Sequence, residues 1–284
     1  KIERRVEKAI LQLMAYYAVL GMPLREAEVN QLISAKTGHL AVRGALHDLV
    51  DAETIVQDTD GCYRLTQGTY HDRSAMEERQ QKLLAKARHW AKVMGLLPFV
   101  KAVVVVDSVA VGNVQASSNI DLLIVTKPNR IFLTKGILMN VLKWLMQLQN
   151  GQHKAGRFNI SMFITTAGLN WQRDIMAVNE PCLVYWLMAS RPVYGAPIWY
   201  DLLKSSSYIQ ERVPNYIWPK SDIRVYSNGL EQLDALDNKG YRMHLRHTAA
   251  QPHMHTEQSF VRLRPDIINL HAIDQSSKIT QQYK

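Results

Sequence analysis

The heptapeptide VKAVVVV, residues 100–106, restricts the fold more than any other stretch of this chain. A run dominated by β-branched apolar residues suits a strand buried in a sheet. Composition shifts abruptly to this pattern after LLPF, so a new domain is expected to start about here. The strand leads into Asp107-Ser108 and a small-residue segment containing Gly112. A second strand, Ile120 to Thr126, carries Asn119-Ile120-Asp121 at its start. Side chains alternate along a strand, which sends Asn119 and Asp121 to one face and makes two polar groups converge beside the end of the first strand. Such a pair makes a site. A structural strand cap is the other reading, and the Ser-x-x-x-Gly turn alongside argues against it.

Downstream, the pattern reads as a helix (Phe132 to Gln149), a strand (Phe158 to Thr165) and a helix (DIMAVNEPCLVYWLMAS), giving an α+β chain with a mixed sheet. Upstream, Val6 to Leu20 has helical apolar spacing, Gly21 and Pro23 break it, PLREAEVNQLIS starts a second helix, and a third is expected from His39 to Val50. TIVQDTDGCYRLT then gives two short β-leaning runs around Asp60-Gly61, a dipeptide suited to a tight hairpin. Three helices and a hairpin form the winged-helix pattern. Winged helices commonly read duplex DNA with the third helix, which here offers only Arg43, flanked by Asp48 and Asp51. The first hundred residues hold fourteen Lys/Arg against twelve Asp/Glu, too even a balance for strong phosphate binding. A packing or protein-docking role is therefore preferred over a DNA-binding regulator. The expected units are a winged-helix-like domain (1–70), a linking helix (71–100), the α/β domain (101–204) and a C-terminal extension (205–284).

The net charge of +9 points to an anionic partner or to a solubilising surface. From Lys101 to Trp199 nine Lys/Arg face four Asp/Glu, so the α/β domain holds +5 of that surplus. Cys62 and Cys182 are too few and too far apart for a disulfide framework or a zinc knuckle, which fits a reducing, cytoplasmic setting. Residues Lys1 to Arg5 lead into an amphipathic pattern and not an apolar signal core. The most apolar stretch, RIFLTKGILMNVLKWLMQLQ, is broken by Lys135, Asn140 and Lys143, so it reads as a buried helix, with a membrane-surface helix as the lesser option.

The segment from residue 101 to 126 resembles the signature of the DNA polymerase β-like nucleotidyltransferase superfamily. There a strand ends in Gly-Ser, and an Asp-x-Asp pair follows about ten residues later; here ten residues separate Ser108 from Asn119. SVAVGN resembles the Ser-x-Ala-x-Gly turn of that superfamily, and SSNIDLLIV its Ser-Asp-Ile-Asp-Leu strand. More loosely, the winged-helix-like block, PFVKAVVVV and the later RPVYG resemble bacterial stand-alone nucleotidyltransferase-domain proteins. The resemblance implies transfer of a nucleotide from a triphosphate to a hydroxyl with two magnesium ions. It maps triphosphate binding onto Ser108 and the turn with Gly112, and a metal ligand onto Asp121. In-line transfer of this kind depends on positioning and on neutralising developing charge.

Three departures stand against it. Asp107 replaces the Gly before Ser, Asn119 replaces the first metal-binding Asp, and RFNISMFITT offers Asn159 and Ser161 where a third carboxylate is expected. A neutral amide about 4 Å from a metal forfeits on the order of several kcal/mol of attraction per unit of metal charge at an effective dielectric near 20. Two readings follow. Either the site is degenerate and the fold serves binding or assembly, for a nucleotide, RNA or a protein partner, with no cofactor; or Asp107 and Asp121 form a rearranged magnesium site in an active enzyme. The first accounts for all three changes and is preferred. Lys127, Arg130, Lys135, Lys154 and Arg157 either line the substrate side, with Lys127 and Arg130 as nucleotide-binding candidates, or form a solvated rim.

Weaker signals remain. His244, His247, His253 and His255 in HLRHTAAQPHMH have no Cys among them and sit in a loop-like context, so metal binding there is disfavoured. Trp186, Tyr194, Trp199 and Tyr200 are expected to pack a core or an interface, and these aromatics together with the C-terminal extension are the candidate surfaces for a protein partner or a homo-oligomer.

Overall fold

The computed structural model describes residues 2–150, 153–167, 181–219, 233–249, 262–264 and 266–269. The chain opens with α1 (Ile2–Val19), β1 (Leu24–Arg25), α2 (Glu26–Leu32), α3 (His39–Asp51), β2 (Ile55–Gln57) and β3 (Cys62–Leu65). The three strands form an antiparallel sheet in the order β1-β3-β2. The hairpin between β2 and β3 turns where Asp60-Gly61 demands it: Gly61 has φ +78° and the Asp60 carboxylate accepts from the Cys62 N–H at 3.0 Å. The second helix starts later than its sequence suggests, because Leu24 and Arg25 pair with Tyr63 and Cys62. The Glu28 carboxylate then accepts the Arg25 N–H at 2.8 Å and closes the helix start.

A long helix, α4 (Arg73–Met94), is capped by Asp72, which accepts from the N–H groups of Ser74 and Ala75. It is clamped to α2 by Arg73, whose guanidinium takes both Glu28 oxygens at 2.7 and 2.8 Å. After it come β4 (Val100–Val106), α5 (Asp107–Val111), β5 (Ile120–Thr126), α6 (Ile131–Trp144), β6 (Phe158–Thr165), α7 (Pro181–Ala189), β7 (Arg191–Tyr194), α8 (Ala196–Lys204), α9 (Ser207–Arg212), α10 (Asp234–Ala249), β8 (Arg262–Arg264) and β9 (Ile267–Asn269). The architecture is α+β with a mixed six-stranded sheet, ordered β7-β4-β5-β6-β9-β8, in which the β5–β6 pair is parallel.

Alternation along the strands divides the interior. Val103, Val105, Ile120, Leu122 and Ile124 pack with Leu84 and Ala87 of α4 and Leu138 and Leu142 of α6. Ala102, Val104, Val106, Leu123 and Val125 pack with Trp199 and Leu203 of α8, in a cluster that continues into α1, α2 and α3. Trp199 is fully buried and donates its indole N–H to Ser190 Oγ at 2.9 Å, so this aromatic belongs to the core.

One expectation changes. Helix α6 ends at Trp144 and does not reach Gln149, because Gln147 and Gln149 exchange backbone hydrogen bonds with Phe158 at 2.8 and 2.9 Å. Beyond residue 205, β9 pairs with β6, and α10 lies on α6. No helix of the described residues is long and apolar enough to cross a membrane.

Candidate functional site

The antiparallel register sets Val106, the last residue of β4, opposite Asp121, and the parallel register sets Asn159 of β6 on the other side of Asp121. Asn119, Asp121 and Asn159 therefore meet at one end of the sheet, on the face covered by α7 and α8. Asp121 is 8% exposed. Its Oδ1 accepts from Asn119 Nδ2 at 2.9 Å and from Asn159 Nδ2 at 2.7 Å. A carboxylate oxygen in this position fixes how the amides turn, since a flipped amide would aim its carbonyl oxygen at a negative charge. Hydrogen bonds to an ionised acceptor are stronger than neutral ones, so the cluster holds itself together.

That arrangement bears on magnesium, the metal the resemblance implies. Magnesium takes hard oxygen lone pairs. Here Asp121 Oδ1 is covered by two N–H donors, and both amides present hydrogen, not oxygen, to the shared centre. The three side chains carry one negative charge where three carboxylates would carry three. Among the described residues, no three His, Cys, Asp or Glu side chains gather into a group able to hold a metal ion. These residues do not fit a two-magnesium centre.

Asp107 follows β4 with φ +56°, the left-handed region that favours glycine. An aspartate carries this backbone at a strain of about 1–2 kcal/mol. The Trp186 indole on α7 donates to Asp107 Oδ1 at 2.7 Å, and a hydrogen bond to a charged acceptor offsets a strain of that size. Ser108 is half-buried in the first turn of α5. Gly112 ends that turn with φ +103°, and a Cβ there would lie 3.1 Å from Met22 Cε. Helix α4 and the N-terminal block pack against the turn from behind: Gln80 of α4 donates to Val109 O at 2.7 Å, and Asn113 donates to Leu20 O of the N-terminal block at 3.0 Å.

Other candidates do not join this cluster. Lys127 lies six residues past Asp121 along an extended strand, roughly 20 Å away. Arg130 follows it to the far end of the sheet, where it is buried, ion-paired with Asp234 of α10 and stacked 5.7 Å over the Phe99 ring. Lys135 on α6 faces His244, and burial pulls its pKa down to about 8. Arg157 and the exposed Lys154 precede β6 at the Asp121 end, and Arg157 donates to Leu148 O at 3.4 Å. His253 and His255 lie outside the described residues. In the N-terminal block Arg43 is bound to Glu26 at 3.0 Å, and the β2–β3 turn carries Asp58 and Asp60, so helix and hairpin tip offer little positive charge to a DNA phosphate. Asn159 is the residue whose role the sequence hid; its position on the third strand was visible, but not its bond to Asp121.

Comparison of the chain with protein-family models, with curated proteins and with solved structures finds no match. The family resemblance rests on the residues themselves.

Proposed function

We propose that this chain is a catalytically silent relative of the DNA polymerase β-like nucleotidyltransferases, with a winged-helix block at its N-terminal side, and that it works as a binding or assembly module. One observation carries the reading: the single carboxylate of the signature accepts hydrogen bonds from amides at both positions where the superfamily would place its partner carboxylates. A site that must neutralise a triphosphate with two cations needs net negative charge around the metals. An amide pair supplies none.

The order α1-β1-α2-α3-β2-β3 and the sheet order β1-β3-β2 support the winged-helix reading of the first block. Its contacts with Gly112 and Asn113 support a packing role, bracing the turn after β4. The rearranged-metal alternative needs Asp107 as a ligand, and one Asp107 oxygen already accepts from Trp186.

Label transfer tests the proposal. Purified protein is incubated with α-labelled nucleoside triphosphates, magnesium or manganese, and RNA, protein and small hydroxyl acceptors. The expected result is no transfer above that of an Asp121→Asn variant. Transfer by the natural protein that Asp121→Asn removes would overturn the reading, and its loss in Asp107→Ala with the fold intact would identify Asp107 as a relocated ligand.

A further inference from the structure

Residues 79–106 and 122–173 contain no Asp or Glu. At the chain's own frequency, 25 acidic residues in 284, these 80 positions would hold about seven. The first stretch carries Arg79, Lys82, Lys86, Arg88, Lys92 and Lys101. The fold brings the two stretches together, because α4 and α6 cover the same face of the sheet, the one opposite Asp121.

Their charges concentrate where the loop before β6 passes under α4. Lys86 Nζ donates to Gly156 O at 2.7 Å and sits 5.4 Å over the Phe158 ring. Arg79 donates to Val114 O at 3.1 Å, and Arg157 to Leu148 O at 3.4 Å. Lys86 has its pKa lowered by burial and by the nearby Arg157, so two cations share this spot. Positions 79, 82 and 86 recur at helical spacing and add Lys82, which pairs with Glu78 one turn back at 2.6 Å, to the same side. Among the described residues, Arg79, Lys86, Lys154 and Arg157 form no ion pair with a carboxylate. The end of α6 is tied beside this loop by the backbone bonds of Gln147 and Gln149 to Phe158, and there Trp144 is 80% exposed and Met146 68% exposed.

We propose that this surface binds a single-stranded polynucleotide, with Arg79, Lys82, Lys86, Lys154 and Arg157 following its phosphates and Trp144 offering a face on which a base stacks. Phosphate neutralisation supplies most of the affinity in such complexes, and aromatic stacking adds a sequence-tolerant increment. An anionic membrane fits less well. A surface-lying helix would need a broad apolar face, whereas α6 spends its apolar face on the sheet. The surface lies across the sheet from Asp121, so the proposal stands apart from the reading of that site.

Fluorescence anisotropy of a labelled oligouridylate with the full chain provides the test, beside the matching deoxyoligomer and phosphatidylserine vesicles. Expected is binding of the oligomer that weakens steeply with salt, with a logarithmic slope of about 0.7 per phosphate contacted. Lys82→Glu with Lys154→Glu, both at exposed positions, should weaken binding tenfold or more, and Trp144→Ala about fivefold or more. Arg88→Glu with Lys92→Glu, on the opposite side of α4, makes the same change in net charge and should leave affinity nearly unchanged. Equal binding of the deoxyoligomer supports the proposal and shows that phosphate and base, not the 2′-hydroxyl, are read. The proposal is overturned by absence of oligomer binding at low salt, by equal losses in the two charge-reversal pairs, or by binding of vesicles without binding of the oligomer.

Discussion

Replacing Asn119 and Asn159 together by aspartate is expected to lower the melting temperature sharply in EDTA, with magnesium restoring much of it. The double variant removes two N–H donors from Asp121 Oδ1 and puts two carboxylates within hydrogen-bonding distance of it. Two like charges 4 Å apart repel by about 4 kcal/mol at an effective dielectric near 20. Two such contacts approach the whole stability of a typical domain, about 5–15 kcal/mol. Magnesium bound among three carboxylates would remove the repulsion. Protonation would do so too: crowded carboxylates have raised pKa values in the folded state, so in EDTA the variant should gain stability as pH falls through those values. Thermal unfolding followed by circular dichroism, with and without magnesium, measures all of this; the natural protein should show no magnesium-dependent shift. A double variant as stable in EDTA as the natural chain would mean that the three side chains are not packed as described.

Gly195→Ala is expected to prevent folding or to unfold the chain at ordinary temperature. Gly195 closes RPVYG with φ +64°, and a Cβ there would lie 2.0 Å from Lys101 O and 2.9 Å from Ala102 Cα. Both neighbours are backbone of β4, a central strand, and cannot rotate away. The left-handed conformation adds about 1–2 kcal/mol for any residue with a side chain. Relief requires β7 to separate from β4, and α8, which starts at the next residue, carries the buried Trp199 with it. Gly44→Ala and Gly136→Ala serve as controls: both sit inside helices with nothing within 4 Å of the added Cβ, so each should stabilise by about 0.5–1 kcal/mol. Thermal melts of the three variants check the contrast, and a Gly195→Ala protein that melts like the natural one would contradict the account of this turn.

What the sequence disclosed was local. The shared face of Asn119 and Asp121 follows from the period of a strand, and the turn at Asp60-Gly61 from the one residue type at ease with positive φ. The bond from Asn159 to Asp121 stayed hidden because it depends on the parallel register of β5 and β6 across an intervening helix, which no local pattern encodes. Lys127 and Arg130 read as either substrate-side or rim residues, and an extended strand carries them to the opposite end of the sheet from Asp121. The runs SFVRLRP and DIINLHAI read as strand or docking segments, and β8 and β9 fall within them. Their place is set by the open edge of β6, a property of the sheet and not of the strands. The positive φ of Asp107 was not legible, because nothing in a single Asp letter marks the left-handed region.

Manganese titration, following free ion by electron paramagnetic resonance, tests most directly whether Asp121 is a hydrogen-bonded centre and not a metal ligand. Manganese prefers the same hard oxygen ligands as magnesium. The natural protein and Asp121→Asn, an isosteric change whose carbonyl oxygen can still accept from both amides, are titrated side by side. The account predicts superimposable curves with no saturable site assigned to residue 121. A saturable manganese site present in the natural chain and absent from Asp121→Asn would contradict it.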